Sequence, residues 1–167
     1  MSISKTDNNN TKHKARQKAV AWAVHGFTTS GIVLGFLGLV AVFEGKQEVA
    51  FIFMALALFV DGIDGTLARL AKVTQVTPQV DGASLDNVVD MFNYSVLPAL
   101  MIYWFEMVPE QFLIPAAAAI LAVSCYTFAD TSMKTSDYYF NGFAAFWNLL
   151  VLLFFLLETS QLTNLIT

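Results

Sequence analysis

Asp61-Gly62-Ile63-Asp64-Gly65-Thr66-Leu67-Ala68-Arg69 and, after residues 70–81, Gly82-Ala83-Ser84-Leu85-Asp86-Asn87-Val88-Val89-Asp90 are the two halves of the stretch that decides the fold. Each half puts carboxylates at the end of an otherwise apolar helix. Asp61 and Asp64 are three residues apart and share a helical face, which Gly65 and Ala68 continue. Gly82, Asp86 and Asp90 recur every fourth residue and line one stripe of the next helix. If the two helices run antiparallel, the stripes face each other across a narrow gap. Four carboxylates repel one another, and each costs about 2.5–3.5 kcal/mol at the centre of a bilayer, less near its surface. Arg69 alone cannot neutralise them. An all-oxygen set without His or Cys selects a hard divalent ion, Mg²⁺, Mn²⁺ or Ca²⁺, over zinc.

The rest of the chain is read outward from this pair. Its 167 residues are 56% hydrophobic and only 13% charged, with a mean hydropathy of +0.59. That is too apolar for a water-soluble domain of this size and indicates an all-α, polytopic transmembrane helix bundle. Five spans are expected: 20–43, 49–70, 82–107, 112–128 and 140–157, each compared with the ~20 residues that cross a ~30 Å hydrocarbon core. Gly31, Gly35 and Gly38 form a stripe on the first helix for close approach of another. Pro78 breaks the loop 71–81, and Pro98 should kink the third helix. Cys125, the single cysteine, reads as a buried bystander. Residues 1–19 form a polar, basic tail, disordered over 1–11 and suited to a short interfacial helix over 12–19; residues 159–167 form a second tail. No cleavable signal sequence is evident.

Lys5, Lys12, Lys14, Arg16, Lys18, Arg69, Lys72 and Lys134 fall on one side of this topology, and of the nine basic residues only Lys46 falls on the other. The bias toward positive charge in cytosolic segments then places the amino terminus and the carboxylates in the cytosol. A site there suits a reaction between a water-soluble reactant and a lipid. Two divalent ions held by Asp61, Asp64, Asp86 and Asp90 can bind a pyrophosphate. Gly65 and Gly82 let a phosphate approach the backbone, Arg69 offers a forked donor for phosphate oxygens, and Asp90 can accept a proton from an attacking hydroxyl. His25 is read either as a hydrogen-bonded structural residue or as a partner behind the carboxylates.

Asp-x-x-Asp-Gly-x-x-Ala-Arg followed by Gly-x-x-x-Asp-x-x-x-Asp resembles the signature of the CDP-alcohol phosphotransferases. That resemblance implies a two-ion centre, Mg²⁺ or Mn²⁺, at the four aspartates. It makes Asp90 the general base and assigns Gly65, Ala68, Arg69 and Gly82 to the CDP moiety. Further stretches, 21–31, 60–69, 128–135, 139–143 and Trp147-Asn148, are similar to the bacterial phosphatidylcholine synthases, with Ala144 where that group has proline. The implied reaction joins CDP-diacylglycerol to choline and releases CMP, in a bacterial inner membrane. Choline would need an aromatic cage, for which Tyr94, Tyr126, Tyr139 and Trp147 are candidates. The resemblance also implies further helices beyond the five spans, admits a homodimer, and points to membrane lipids and not nucleic acid as partners. The alternatives are a phosphatidylglycerophosphate or phosphatidylserine synthase, a cation or proton transporter, and an inactive fragment.

Overall fold

A computed structural model describes residues 3–130 and 146–157 together with Ser160 and Asn164, except for the side chains of 3–10. The described residues form helices and connecting turns, with no strand among them: α1 (Ile3–Phe43), α2 (Gln47–Ala71), α3 (Val73–Val76), α4 (Gly82–Met91), α5 (Leu97–Trp104), α6 (Leu113–Ala129) and α7 (Trp147–Leu156). Two short elements complete the order, a π-helical turn over Phe92–Val96 and a 3₁₀ turn over Glu110–Phe112. Helices 11–43, 47–71 and 110–129 are long and apolar enough to cross a membrane, and 147–156 is a shorter apolar helix. The all-helical membrane bundle expected from the sequence is therefore present. The third expected span is one helical rod interrupted by the π turn, and residues 140–146 of the fifth fall largely outside the described residues.

α1 and α2 form an antiparallel hairpin. Its turn is a Schellman motif: Lys46 N–H bonds to Ala41 O and Gly45 N–H to Val42 O, both at 2.9 Å. Gly45 sits at φ +70°, the left-handed conformation that glycine adopts without a Cβ clash. At the other end of α1 the sequence reading needs correction. The polar residues expected to be disordered continue the helix back to Ile3. Once an apolar helix exists, each further residue adds a hydrogen bond without a new nucleation cost, and no Pro or Gly interrupts residues 3–25. Its 41 residues extend roughly 60 Å at 1.5 Å per residue, about twice the hydrocarbon thickness. Residues 11–20 of this extension are exposed.

The glycine stripe works as anticipated. A Cβ at Gly31 would meet Val89, at Gly35 the Asn93 and Phe92 side chains, and at Gly38 Leu97. The stripe is thus where α4, the π turn and α5 lie against α1, and Asn93 Nδ2 donates to Gly31 O at 3.2 Å across that contact. Pro98 does not produce a simple kink. It lies at the start of α5, and the strain is taken up just before it, where Leu97 N–H reaches back five residues to Phe92 O. Proline cannot donate to residue 94 and its ring crowds that carbonyl, so a wider turn relieves both problems. α5 ends at Trp104 with Glu106 at φ +50°, before the expected limit of Met107. The loop 71–81 holds the one-turn helix α3, and Lys72, at φ 52°, separates it from α2.

The main apolar core lies at the end of the bundle remote from Asp61, where α1, α2, α5, α6 and α7 meet through Val42, Ala50, Met54, Leu97, Met101 and Val151. A smaller cluster of Ala21, Val24 and Val73 closes the opposite end. α6 buries Leu113, Ile120, Ser124 and Thr127, a single helical face. Cys125 lies off that face and is exposed, contrary to the sequence reading. In a membrane helix the lipid-facing side is as apolar as the packed side, so hydropathy does not separate them.

Candidate metal and phosphate site

The carboxylates converge where α2 meets α4, between the two apolar clusters. Asp81 caps α4: its side chain accepts from Ala83 N–H at 3.1 Å and from Ser84 Oγ at 2.6 Å. This cap fixes where the helix begins and hence the phase of the stripe that follows. Asp61, Asp86 and Asp90 each present one carboxylate oxygen, and these atoms lie within 4.8 Å of one another. The two stripes do face each other. Oδ1 of Asp90 is buried without a hydrogen-bond partner among the described residues. A buried carboxylate oxygen left without a donor is costly, and a divalent cation would satisfy it. The residues therefore fit a hard divalent ion.

Asp64 stands apart from this trio. It is only 5% exposed and lies beside Asp61 and the Thr28 hydroxyl of α1. Thr28 was not picked out by the sequence reading, and only the packing of α1 on α2 brings it there. Arg69 is exposed and folds back along its own helix, with Nη2 donating to Thr66 Oγ1 at 3.0 Å. A Cβ built on Gly65 would have only the Arg69 guanidinium nearby, at 3.5 Å. The surface between Gly65 and Arg69 is thus open backbone beside a planar cation, a surface suited to phosphate. Ala68 turns elsewhere and packs with the Ala21–Val24–Val73 cluster.

His25 belongs to the scaffold behind this surface. Its Nε2 lies 3.0 Å from Thr77 Oγ1, and the Thr77 hydroxyl donates to Val73 O at 3.0 Å. Because that hydroxyl has one proton, already committed, Nε2–H of His25 is the donor. His25 Cε1 is also the nearest atom to a Cβ built on Gly82, at 3.9 Å. A histidine on α1 therefore ties down the α2–α4 connection beside the start of α4. Thr77, fully buried, is a second residue the sequence reading passed over; a threonine next to Pro78 carries no signal that its partner is 52 residues away.

The four aromatic candidates separate. Tyr94 reaches the cluster, its hydroxyl donating to Asp61 Oδ2 at 2.7 Å. Trp147 packs on the main core, half-buried, and its indole N–H donates to Ser124 Oγ at 2.9 Å. Tyr126 is 81% exposed on α6 among the described residues. Tyr139 lies outside the described residues.

Comparison with known proteins adds a family. A profile described as CDP-alcohol phosphatidyltransferase matches residues 24–167. The chain is 39% identical over 148 residues to a phosphatidylcholine synthase of Borreliella burgdorferi, covering 89% of this chain and 63% of the relative. It is 41% identical over 150 residues to that of Pseudomonas aeruginosa, covering 90% and 63%. Against that of Rhizobium meliloti it is 43% identical over 143 residues, covering 86% and 59%. The chain thus spans about three fifths of the length of the curated relatives it matches. No solved structure matches it significantly.

Proposed function

This chain belongs to the CDP-alcohol phosphatidyltransferase family, and on that premise we propose that it transfers the phosphatidyl group of CDP-diacylglycerol to choline, releasing CMP. The observation that carries the reading is the convergence of Asp61, Asp86 and Asp90 from two helices, with one oxygen of Asp90 lacking a donor among the described residues. Choline as acceptor is supported by the phosphatidylcholine synthases to which the chain is similar.

Asp61, Asp86 and Asp90, with Asp64 beside them, would hold two Mn²⁺ or Mg²⁺ ions. When bound, such ions neutralise phosphate charge and stabilise a leaving phosphate. The chain's own residues divide the remaining tasks. Arg69 and the bare backbone at Gly65 and Gly82 orient the diphosphate, with Ala68 keeping α2 packed at that level. Asp90 takes the hydroxyl proton of choline as its oxygen bonds to the phosphorus carrying diacylglycerol, and the bond from that phosphorus to the bridging oxygen breaks to release CMP. The site and the amino terminus face the cytosol of a bacterial inner membrane, supported by the distribution of basic residues. By analogy with the family the chain functions as a homodimer.

One observation favours a second reading with an anionic acceptor. His13, Arg16 and Lys72 help line a groove of about 320 Å³ between α1 and the α2–α3 junction. Membranes holding the chain and CDP-diacylglycerol, supplied in turn with labelled choline, serine and glycerol 3-phosphate, distinguish the two. Label entering phospholipid from choline alone is expected. Incorporation of serine or glycerol 3-phosphate with choline inert would overturn the choline reading, and ion flux without CMP would overturn the transferase.

A further inference from the structure

The turn that Pro98 forces into the third helical rod places a side chain at the carboxylates. Tyr94 lies inside the π-helical turn and is 5% exposed. Its ring meets Phe146 edge to face, with centroids 5.9 Å apart. Its hydroxyl donates to Asp61 Oδ2 at 2.7 Å. Tyr94 follows Asp86 and Asp90 in the same rod, yet it grips the carboxylate that comes from α2. The bond therefore fixes one half of the carboxylate group relative to the other.

We infer that Tyr94 is a positioning residue: it holds Asp61 through Oδ2, leaving Oδ1 and the remaining lone pair of Oδ2 for a divalent cation shared with Asp86 and Asp90. The inference rests on the metal reading of the carboxylates and replaces Tyr94's assignment to a choline cage. A carboxylate without such a donor rotates about its Cβ–Cγ bond, and ordering it on binding costs entropy. The phenol has already fixed that orientation. Groups that orient a metal ligand in this way characteristically change metal affinity by about 10–100-fold when removed.

The test is a Mn²⁺ titration of the purified full chain in lipid nanodiscs, without substrate, following free Mn²⁺ by electron paramagnetic resonance. Tyr94→Phe keeps the ring and its contact with Phe146 and removes only the hydroxyl. Affinity is expected to fall on the order of 10–100-fold, and the unfolding temperature in EDTA measures separately what loss of the hydrogen bond costs the fold. Tyr126→Phe, the same change at an exposed site, should titrate as wild type. Tyr94→Phe affinity equal to or tighter than wild type overturns the inference, whatever happens to stability. If wild type binds no Mn²⁺, or Asp61→Asn and Asp90→Asn bind it as well as wild type does, the metal reading itself fails and the inference with it. Should Tyr94→Phe not fold, 4-methylphenylalanine at position 94 fills the space of the hydroxyl without a donor. An Mn²⁺ affinity for that replacement equal to or tighter than wild type also overturns the inference.

Discussion

The same helices behave differently at their two ends. Away from the carboxylates, Val42, Leu97, Met101 and Val151 are fully buried in a continuous apolar core. Near the carboxylates, α2 and α4 bring acidic oxygens within 4.8 Å of one another, and buried polar atoms of Asp90, Asn93 and Ser95 lack partners among the described residues. One end gains from every contact it makes. The other holds an arrangement that folding alone would not favour, kept in place by the first. A region that costs stability and is still closely built is where function is to be sought.

Substitutions at the two ends should therefore separate activity from stability. Asp90→Asn is expected to give the largest effect, a fall in CMP release of about 10²–10⁴-fold, the usual contribution of a positioned base. The same variant should unfold at a temperature no lower than wild type in EDTA, because a neutral amide at position 90 adds no charge to the cluster and can donate to a neighbouring carboxylate. An Asp90→Asn chain that is both active and less stable would break the comparison. Chelation offers a parallel check: EDTA should stop CMP release by wild type, and added Mn²⁺ or Mg²⁺ should restore it.

At the apolar end, Leu97→Ala should cost about 2–5 kcal/mol of stability, the range for truncating a buried leucine. Turnover per folded molecule should change little. Denaturation in mild detergent, read by tryptophan fluorescence, measures the first, and CMP release normalised to folded protein the second. Gly35→Ala lies between the regions, since its Cβ would meet Asn93 and Phe92. An overpacking cost of about 1–3 kcal/mol is expected, with a loss of activity because those residues lead into the Tyr94 turn. Thr77→Val should be the mildest, near 1 kcal/mol for a lost buried hydrogen bond. Its partner His25 should then show a changed imidazole nitrogen resonance by NMR.

Much of this comparison was legible before any coordinates. The i, i+3 and i, i+4 spacings identified which carboxylates share a face, and the glycine stripe announced a close helix contact. Both follow from helical periodicity, which is a local property. The interruptions were harder to read. Pro98 signalled strain, but whether a kink or a wider turn absorbs it depends on what packs alongside, here the Gly35 face of α1. Glu106 ends α5 in a left-handed conformation normally marked by glycine, so nothing in the residue type revealed the boundary. Tyr126 and Trp147 looked like equal candidates for a cage because aromatics concentrate at membrane interfaces for reasons unrelated to any ligand.

By itself the sequence determined that this chain is a membrane-embedded helical bundle with an acidic motif at one end, because hydropathy and helical period are written residue by residue. Only the tertiary structure decided which of the four aspartates converge, that Asp64 lies instead beside Thr28, and that Tyr94 reaches across to Asp61. Those outcomes depend on the separation and rotation of two helices about each other. Both are set by many packing contacts at once, the glycine stripe and the π turn among them, and no single stretch of residues encodes them.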